Sequence, residues 1–212
     1  MRWHRRFGRL VSLAFLFSLL IASAKAQVER IELRVDGLAC PFCAYGLEKN
    51  LKALKGVDQI DIDLDGGLAT LIPKKGAHIS LDRMTQAVQD AGFTPKETTL
   101  VATGRVVPLA SLADDAEAMK AIDEIQDIAE KQGIDLPRDP AVLVIDTPRQ
   151  FFLLLKAKGK KGEAAFAELT RLATMGGPVT VTGILPAVKK KAKRVPATLF
   201  VEAVTRVAVE RS

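Results

Sequence analysis

The chain has 212 residues, with 31 Lys and Arg against 25 Asp and Glu, a formal charge of +6. Five of those basic side chains and no acidic one fall within residues 1–26, so the remainder carries only +1 and offers no electrostatic footprint for nucleic acid. Trp3 is the only tryptophan and Tyr45 the only tyrosine, which excludes an aromatic platform for stacking single strands. Two cysteines are too few for a disulfide framework.

Residues 1–26 read as a secretory signal. Arg2, Arg5, Arg6 and Arg9 form a basic start, Leu10 to Ala22 an apolar run, and Ala24-Lys25-Ala26 a small-x-small cleavage pattern before Gln27. The apolar run is about 13 residues, short of the roughly 20 that span a bilayer. The alternative is an uncleaved N-terminal anchor. No later stretch reaches transmembrane length. Export to the periplasm is the expectation, with a domain at 27–103 and another at 104–212, neither integral to the membrane once the signal is removed.

Within the first domain, Ile31, Leu33 and Val35 alternate with Glu32 and Arg34, the period of a half-buried strand. A loop, Asp36 to Ala39, leads to Cys40. From Ala44 the period lengthens: Leu47, Leu51 and Leu54 mark one helical face, and Gly56 is the expected stop. Ile60, Ile62 and Leu64 predict a second strand, Asp65-Gly66-Gly67 a hairpin turn, and Leu68 to Ile72 a third strand ending at Pro73. Ser80 caps a predicted helix carrying Leu81, Met84, Val88 and Ala91, closed by Gly92. Phe93 to Thr103 supplies a fourth strand. The order is β-α-β-β-α-β, a split βαβ sandwich of the α+β class.

Residues 104–212 contain no Cys and no His. Arg105-Val106-Val107 continues the preceding strand or shares it. Ser111 is expected to cap a long acidic helix through Leu112, Ala116, Met119, Ile122, Ile125 and Ala129, ended by Gly133. Apolar runs at 141–145, 151–155, 179–185 and 198–204 read as strands, with a helix near 163–174. Five strands with a helix between the third and fourth match an OB-type β-barrel carrying a helical insertion after its first strand. Lys189 to Arg194 is a basic run between two strands, read as a solvated hairpin loop; contact with an acidic protein or a lipid surface is the alternative.

Cys40-Pro41-Phe42-Cys43 lies between a strand and a helix start. A helix N-terminus presents free N–H groups and partial positive charge, which favour thiolates. Thiolate sulfur suits soft ions: Cu(I), and by the same logic Hg(II) or Zn(II). Two sulfurs alone fit a low-coordinate ion, whereas structural zinc takes four protein ligands and no second Cys or His pair exists. His78, the only histidine after residue 26, is expected in a surface or capping role, and Tyr45 as a helix surface residue. Asp61 to Gly66 imitates the start of an EF-hand loop, but the twelfth position is Ile72 and the segment alternates like a strand. No nucleophile–base set, phosphate loop or paired carboxylates can be assembled, so no enzymatic centre is expected beyond the cysteines.

Residues 28–98 resemble the heavy-metal-associated domain, the module of copper chaperones, metal-transporting P-type ATPase N-termini and the periplasmic mercury-binding protein. The resemblance rests on Gly37-Leu38-Ala39-Cys40-Pro41-Phe42-Cys43, Lys55-Gly56-Val57 and Asp90-Ala91-Gly92-Phe93. Leu38 stands where the family usually has Met, an apolar anchor for the loop. Phe93 stands where cytosolic copper chaperones commonly have Lys, and resembles the ATPase and mercury-protein versions. The resemblance implies a ferredoxin-like fold, Cys40 and Cys43 as ligands to Cu(I) or Hg(II), and a membrane metal transporter or another metal carrier as partner. The rival reading is thiol–disulfide exchange: Pro-Phe between two cysteines is also similar to a glutaredoxin-like site. An inert structural disulfide is the third.

Overall fold

The computed structural model describes residues 26–132, 136–137, 140–185 and 198–207. The expected signal segment up to Lys25, the helix stop at Gly133 and the basic run Lys189 to Arg194 lie outside the described residues.

The first unit follows the expected order: β1 (Gln27–Asp36), α1 (Pro41–Lys52), β2 (Val57–Asp63), β3 (Leu68–Pro73), α2 (Leu81–Asp90) and β4 (Thr94–Pro108). Its sheet runs β2-β3-β1-β4, all neighbours antiparallel. This is a ferredoxin-like sandwich. Alternation on β1 puts Ile31, Leu33 and Val35 inward, where Leu47 and Leu51 of α1 and Met84 and Val88 of α2 cover them. Ser80 caps α2 as expected, its hydroxyl accepting from the Arg83 amide at 3.3 Å. α1 ends earlier than its apolar period suggested, at Lys52, and Gly56 (φ 95°) sits beyond it in the turn into β2. A Cβ there would stand 2.9 Å from the His78 carbonyl oxygen, so close packing as well as the backbone angle selects glycine.

β4 is one unbroken strand of 15 residues, and the boundary expected at 103/104 falls inside it. Along one edge it pairs first with β1, from Asp36↔Thr94 to Gln27↔Thr103, and then with β5 (Ala141–Asp146), from Arg105↔Val144 to Pro108↔Ala141. Its other edge pairs with β7 (Pro178–Leu185), from Thr98↔Leu185 to Arg105↔Pro178. β6 (Arg149–Lys156) follows β5 antiparallel, β8 (Thr198–Arg206) pairs with β6 in parallel, and β7 pairs with β8 antiparallel. The result is a closed five-stranded barrel, β4-β5-β6-β8-β7-β4. That is the OB-type strand order. α4 (Gly159–Met175) joins the third and fourth barrel strands, and α3 (Ala116–Gln132) is inserted after the first. Because β7 lies along β4, the ferredoxin-like sheet has no open edge on that side.

Where β4 exchanges β1 for β5, a Cβ on Gly104 would stand 2.5 Å from the Val144 carbonyl oxygen, a contact no side chain can make. Leu100 and Ala102 of β4 belong to one core with Leu33 and Leu51 of the first unit and Leu143, Leu154, Val181 and Leu199 of the barrel. A second core lies outside the barrel, where Ala118, Ile122 and Ile125 of α3 cover Val142, Val144, Phe151 and Leu153.

The start of α3 differs from expectation. Leu109–Leu112 is a 3-10 turn. The Ser111 hydroxyl donates to the Pro108 carbonyl at 2.7 Å within it. The helix is capped instead by Asp115, whose carboxylate accepts from the Ala118 amide at 3.1 Å. Leu112 is half-buried against the second core from outside the helix. Asp and Ser both satisfy a cap, and only the strand register upstream decides which one reaches the helix mouth.

Candidate metal site

The loop after β1 and the loop before β4 emerge at one end of the first unit. Asp36 pairs with Thr94, Lys96 Nζ lies 2.7 Å from an Asp36 carboxylate oxygen, and the Val35 amide donates to the Gly67 carbonyl at 2.8 Å. Gly37 turns the chain at φ 88°, with Phe93 packed 3.8 Å from where its Cβ would be. Leu38 then drives into the core at 4% exposure, the anchoring expected of an apolar residue there. A fixed turn and a buried anchor together determine where the next residues stand.

Cys40 is the N-cap of α1 in extended backbone (φ −129°, ψ 126°), with Pro41 at the first helical position and no side-chain cap bond. Its carbonyl already accepts the Ala44 amide at 3.0 Å, leaving the first-turn amides directed toward its sulfur. Cys43 sits one turn in. Cys40 is half-buried, Cys43 exposed, and both are free thiols. The Cys43 thiol holds Cys40 below the ordinary thiol range, assisted by the Cys43 and Phe42 amides and opposed by partial burial. The Cys40 side chain in turn pushes Cys43 up, with desolvation and the nearby Cys40 charge adding to it. The acidities of the two thiols thus move apart, Cys40 downward and Cys43 upward.

Among the described residues no third Cys, His, Asp or Glu joins the pair into a metal-ligating cluster. His78 lies on the loop at the opposite end of the first unit, exposed, where the Lys74 amide bonds the Gly56 carbonyl at 2.8 Å. Tyr45 is a surface residue at 69% exposure. Phe42, read from sequence only as part of the motif, is 90% exposed. The signal was available: residues three apart share a helical face, and Phe42 and Tyr45 lie off the face of Ala44, Leu47 and Leu51 that α1 buries.

The heavy-metal-associated domain family matches the chain over residues 32–94. A copper-transporting ATPase of Oryza sativa subsp. japonica is 34% identical over 62 residues, 29% of this chain and 6% of the relative. A mercuric reductase of Shewanella putrefaciens is 28% identical over 69 residues, 32% of this chain and 12% of the relative. The copper chaperone CopZ of Staphylococcus haemolyticus is 28% identical over 64 residues, 30% of this chain and 93% of the relative. The chain therefore spans only a small part of the first two. Among solved structures, a CopZ metallochaperone is 24% identical, with a TM-score of 0.29 over 31% of this chain and 97% of its own. Oxidized MerP from Ralstonia metallidurans CH34 is 24% identical, with a TM-score of 0.29 over 32% and 93%. Residues 32–94 are a heavy-metal-associated domain, and this chain carries it on a strand that continues into a five-stranded barrel.

Proposed function

We propose that the chain is an exported carrier of a soft metal ion, taking up Cu(I) or Hg(II) between Cys40 and Cys43 and passing it on by exchange of thiolate ligands. The single observation behind this reading is the pair of free sulfurs at the mouth of α1, one half-buried at the N-cap and the other exposed one turn in. The ion is cargo. Uptake releases the protons of both thiols, and the first-turn amides with the helix dipole stabilise the resulting negative charge. With two protein donors the ion keeps open coordination, so an incoming thiolate can bind before the first pair lets go. Transfer needs that opening. Zn(II), which settles with four ligands, is a poorer match for the same pair.

The likeness of residues 32–94 to a copper chaperone and to part of a copper-transporting ATPase supports a membrane metal transporter or a second carrier as partner. The basic start, apolar run and small-x-small site of residues 1–26 support export to the periplasm. No helix among the described residues is long and apolar enough to cross a membrane. In this reading the chain is a carrier, not an enzyme. The test is anaerobic competition of the fully reduced protein against chromophoric Cu(I), Hg(II) and Zn(II) probes. One equivalent of Cu(I) or Hg(II) per chain is expected, lost on alkylation of the thiols; no uptake of any thiophilic ion at equimolar amounts would overturn it.

The opposed thiol acidities also favour a second reading, a dithiol–disulfide exchanger that attacks through Cys40. Turnover of a model disulfide that survives strong chelation would select that reading over the carrier.

A further inference from the structure

Charge is segregated across β6. Phe151, Leu153 and Leu155 face the core that α3 covers, while Phe152 and Leu154 face the core that holds Ala165, Leu169 and Leu172 of α4. The two helices therefore lie on opposite faces of one strand. On the first face α3 carries Glu117, Asp123, Glu124, Asp127 and Glu130 against two lysines. On the second, the turn from β6 into α4 reads Lys156-Ala157-Lys158-Gly159-Lys160-Lys161, four cations and no acid in six residues.

All four lysines are exposed. Their neutralisation is slight. Lys156 lies 4.0 Å from Glu163 and Lys161 lies 3.8 Å from Glu202, both long for an ion pair, and among the described residues Lys158 and Lys160 have no such partner. Stability does not explain them, because a helix start favours acidic side chains and the first turn of α4 has none. A pattern that breaks a local rule without a local gain marks a surface put to another use.

Lysine rather than arginine narrows the partner. An ammonium is a hydrated point charge on a flexible stem, without the planar fork that recognises one fixed carboxylate or phosphate. It suits a partner whose negative charges are mobile and spread over a plane, which is the chemistry of an anionic bilayer. The place of the patch in the fold fits. β6 runs parallel to β4, with Leu154 aligned through Ala141 to Pro108, so Lys156 lies past the Pro108 end of β4 and the cysteines at its Thr94 end. Held by the lysines, the chain would turn its metal site away from the bilayer.

We propose that Lys156, Lys158, Lys160 and Lys161 dock the chain peripherally on an anionic phospholipid surface. The patch is separate from the cysteine pair and does not depend on the metal reading.

The test is co-sedimentation of the chain from Gln27 onward, which holds every described element, with vesicles of phosphatidylglycerol and phosphatidylcholine or of phosphatidylcholine alone. Binding to the anionic vesicles only is expected, falling as salt rises. Each lysine contributes about fivefold near such a surface, so Lys158→Gln, Lys160→Gln and Lys161→Gln together should weaken binding about 100-fold, at unchanged Tm. The same change at Lys189, Lys190 and Lys191, in the other basic run, should cost less. No binding to anionic vesicles, equal binding to both kinds, or a larger loss from the second triple variant than from the first would each overturn the proposal. Tighter binding to poly-glutamate than to the vesicles would also overturn it, by making the patch a protein contact.

Discussion

Cys40 caps α1 in extended backbone and Cys43 follows one turn in, and each side chain shifts the acidity of the other, Cys40 downward and Cys43 upward. The consequence is a difference in reactivity with pH. Cys40 should alkylate with a midpoint below the ordinary thiol value, because the Cys43 thiol and two amides stabilise its ionised form. Cys43 should have a midpoint above that value. Iodoacetamide rates across pH, resolved by peptide mass, measure both. In Cys43→Ala the Cys40 midpoint should rise, since its principal hydrogen-bond donor is gone.

Metal uptake should depend on both sulfurs. Cys40→Ser or Cys43→Ser replaces a soft donor by a hard one and should weaken Cu(I) binding by more than about 100-fold, the upper range for losing even an outer-shell partner. Competition with a chromophoric Cu(I) chelator reads this directly. Equal affinity in either variant would exclude the pair as the ligand set.

Gly104 stands where β4 changes neighbour, with the Val144 carbonyl in the space a Cβ would occupy. Since the obstacle is backbone, Gly104→Ala should force the strands apart and cost about 1–3 kcal/mol. For a chain of this size that is a fall in Tm of about 2–4 °C for each kcal/mol. Thermal unfolding followed by circular dichroism measures it.

Leu100, 1% exposed, lies in a core shared by both units. Leu100→Ala should cost about 2–5 kcal/mol. The loss should appear equally in probes of the first unit and of the barrel, because one core cannot be weakened for only one of them. Urea titration followed by amide signals of β3 and of β8 should show coincident midpoints before and after the change; separate midpoints would mean the units unfold independently.

The capping of α3 gives a paired test. Asp115→Ala removes the cap and an ion-pair partner of Arg149 and should cost about 1 kcal/mol. Ser111→Ala, in the exposed 3-10 turn, should stay within about 0.5 kcal/mol of the parent. Denaturant midpoints at constant slope decide between them.

By itself the sequence determined the order of elements in the first unit and the place of the cysteines. Period-two runs such as Ile31-Leu33-Val35 and the period of Leu47 and Leu51 report which face of an element is buried, a local property that survives in the chain as pattern. Glycine and serine punctuation at Gly37, Ser80 and Gly92 marked turns and a cap for equally local reasons. The five barrel strands could also be counted and ordered from their apolar runs. Only the tertiary structure decided that β4 serves both units, because a strand buried on two edges reads the same as one buried on a single edge. It also decided that Asp115 rather than Ser111 caps α3, that backbone closes on Gly104, and that Phe42 stands in solvent beside Cys43. Each of these depends on which distant segment arrives opposite. Register between residues about 40 to 90 positions apart is set by packing the whole, not by the pattern of either partner.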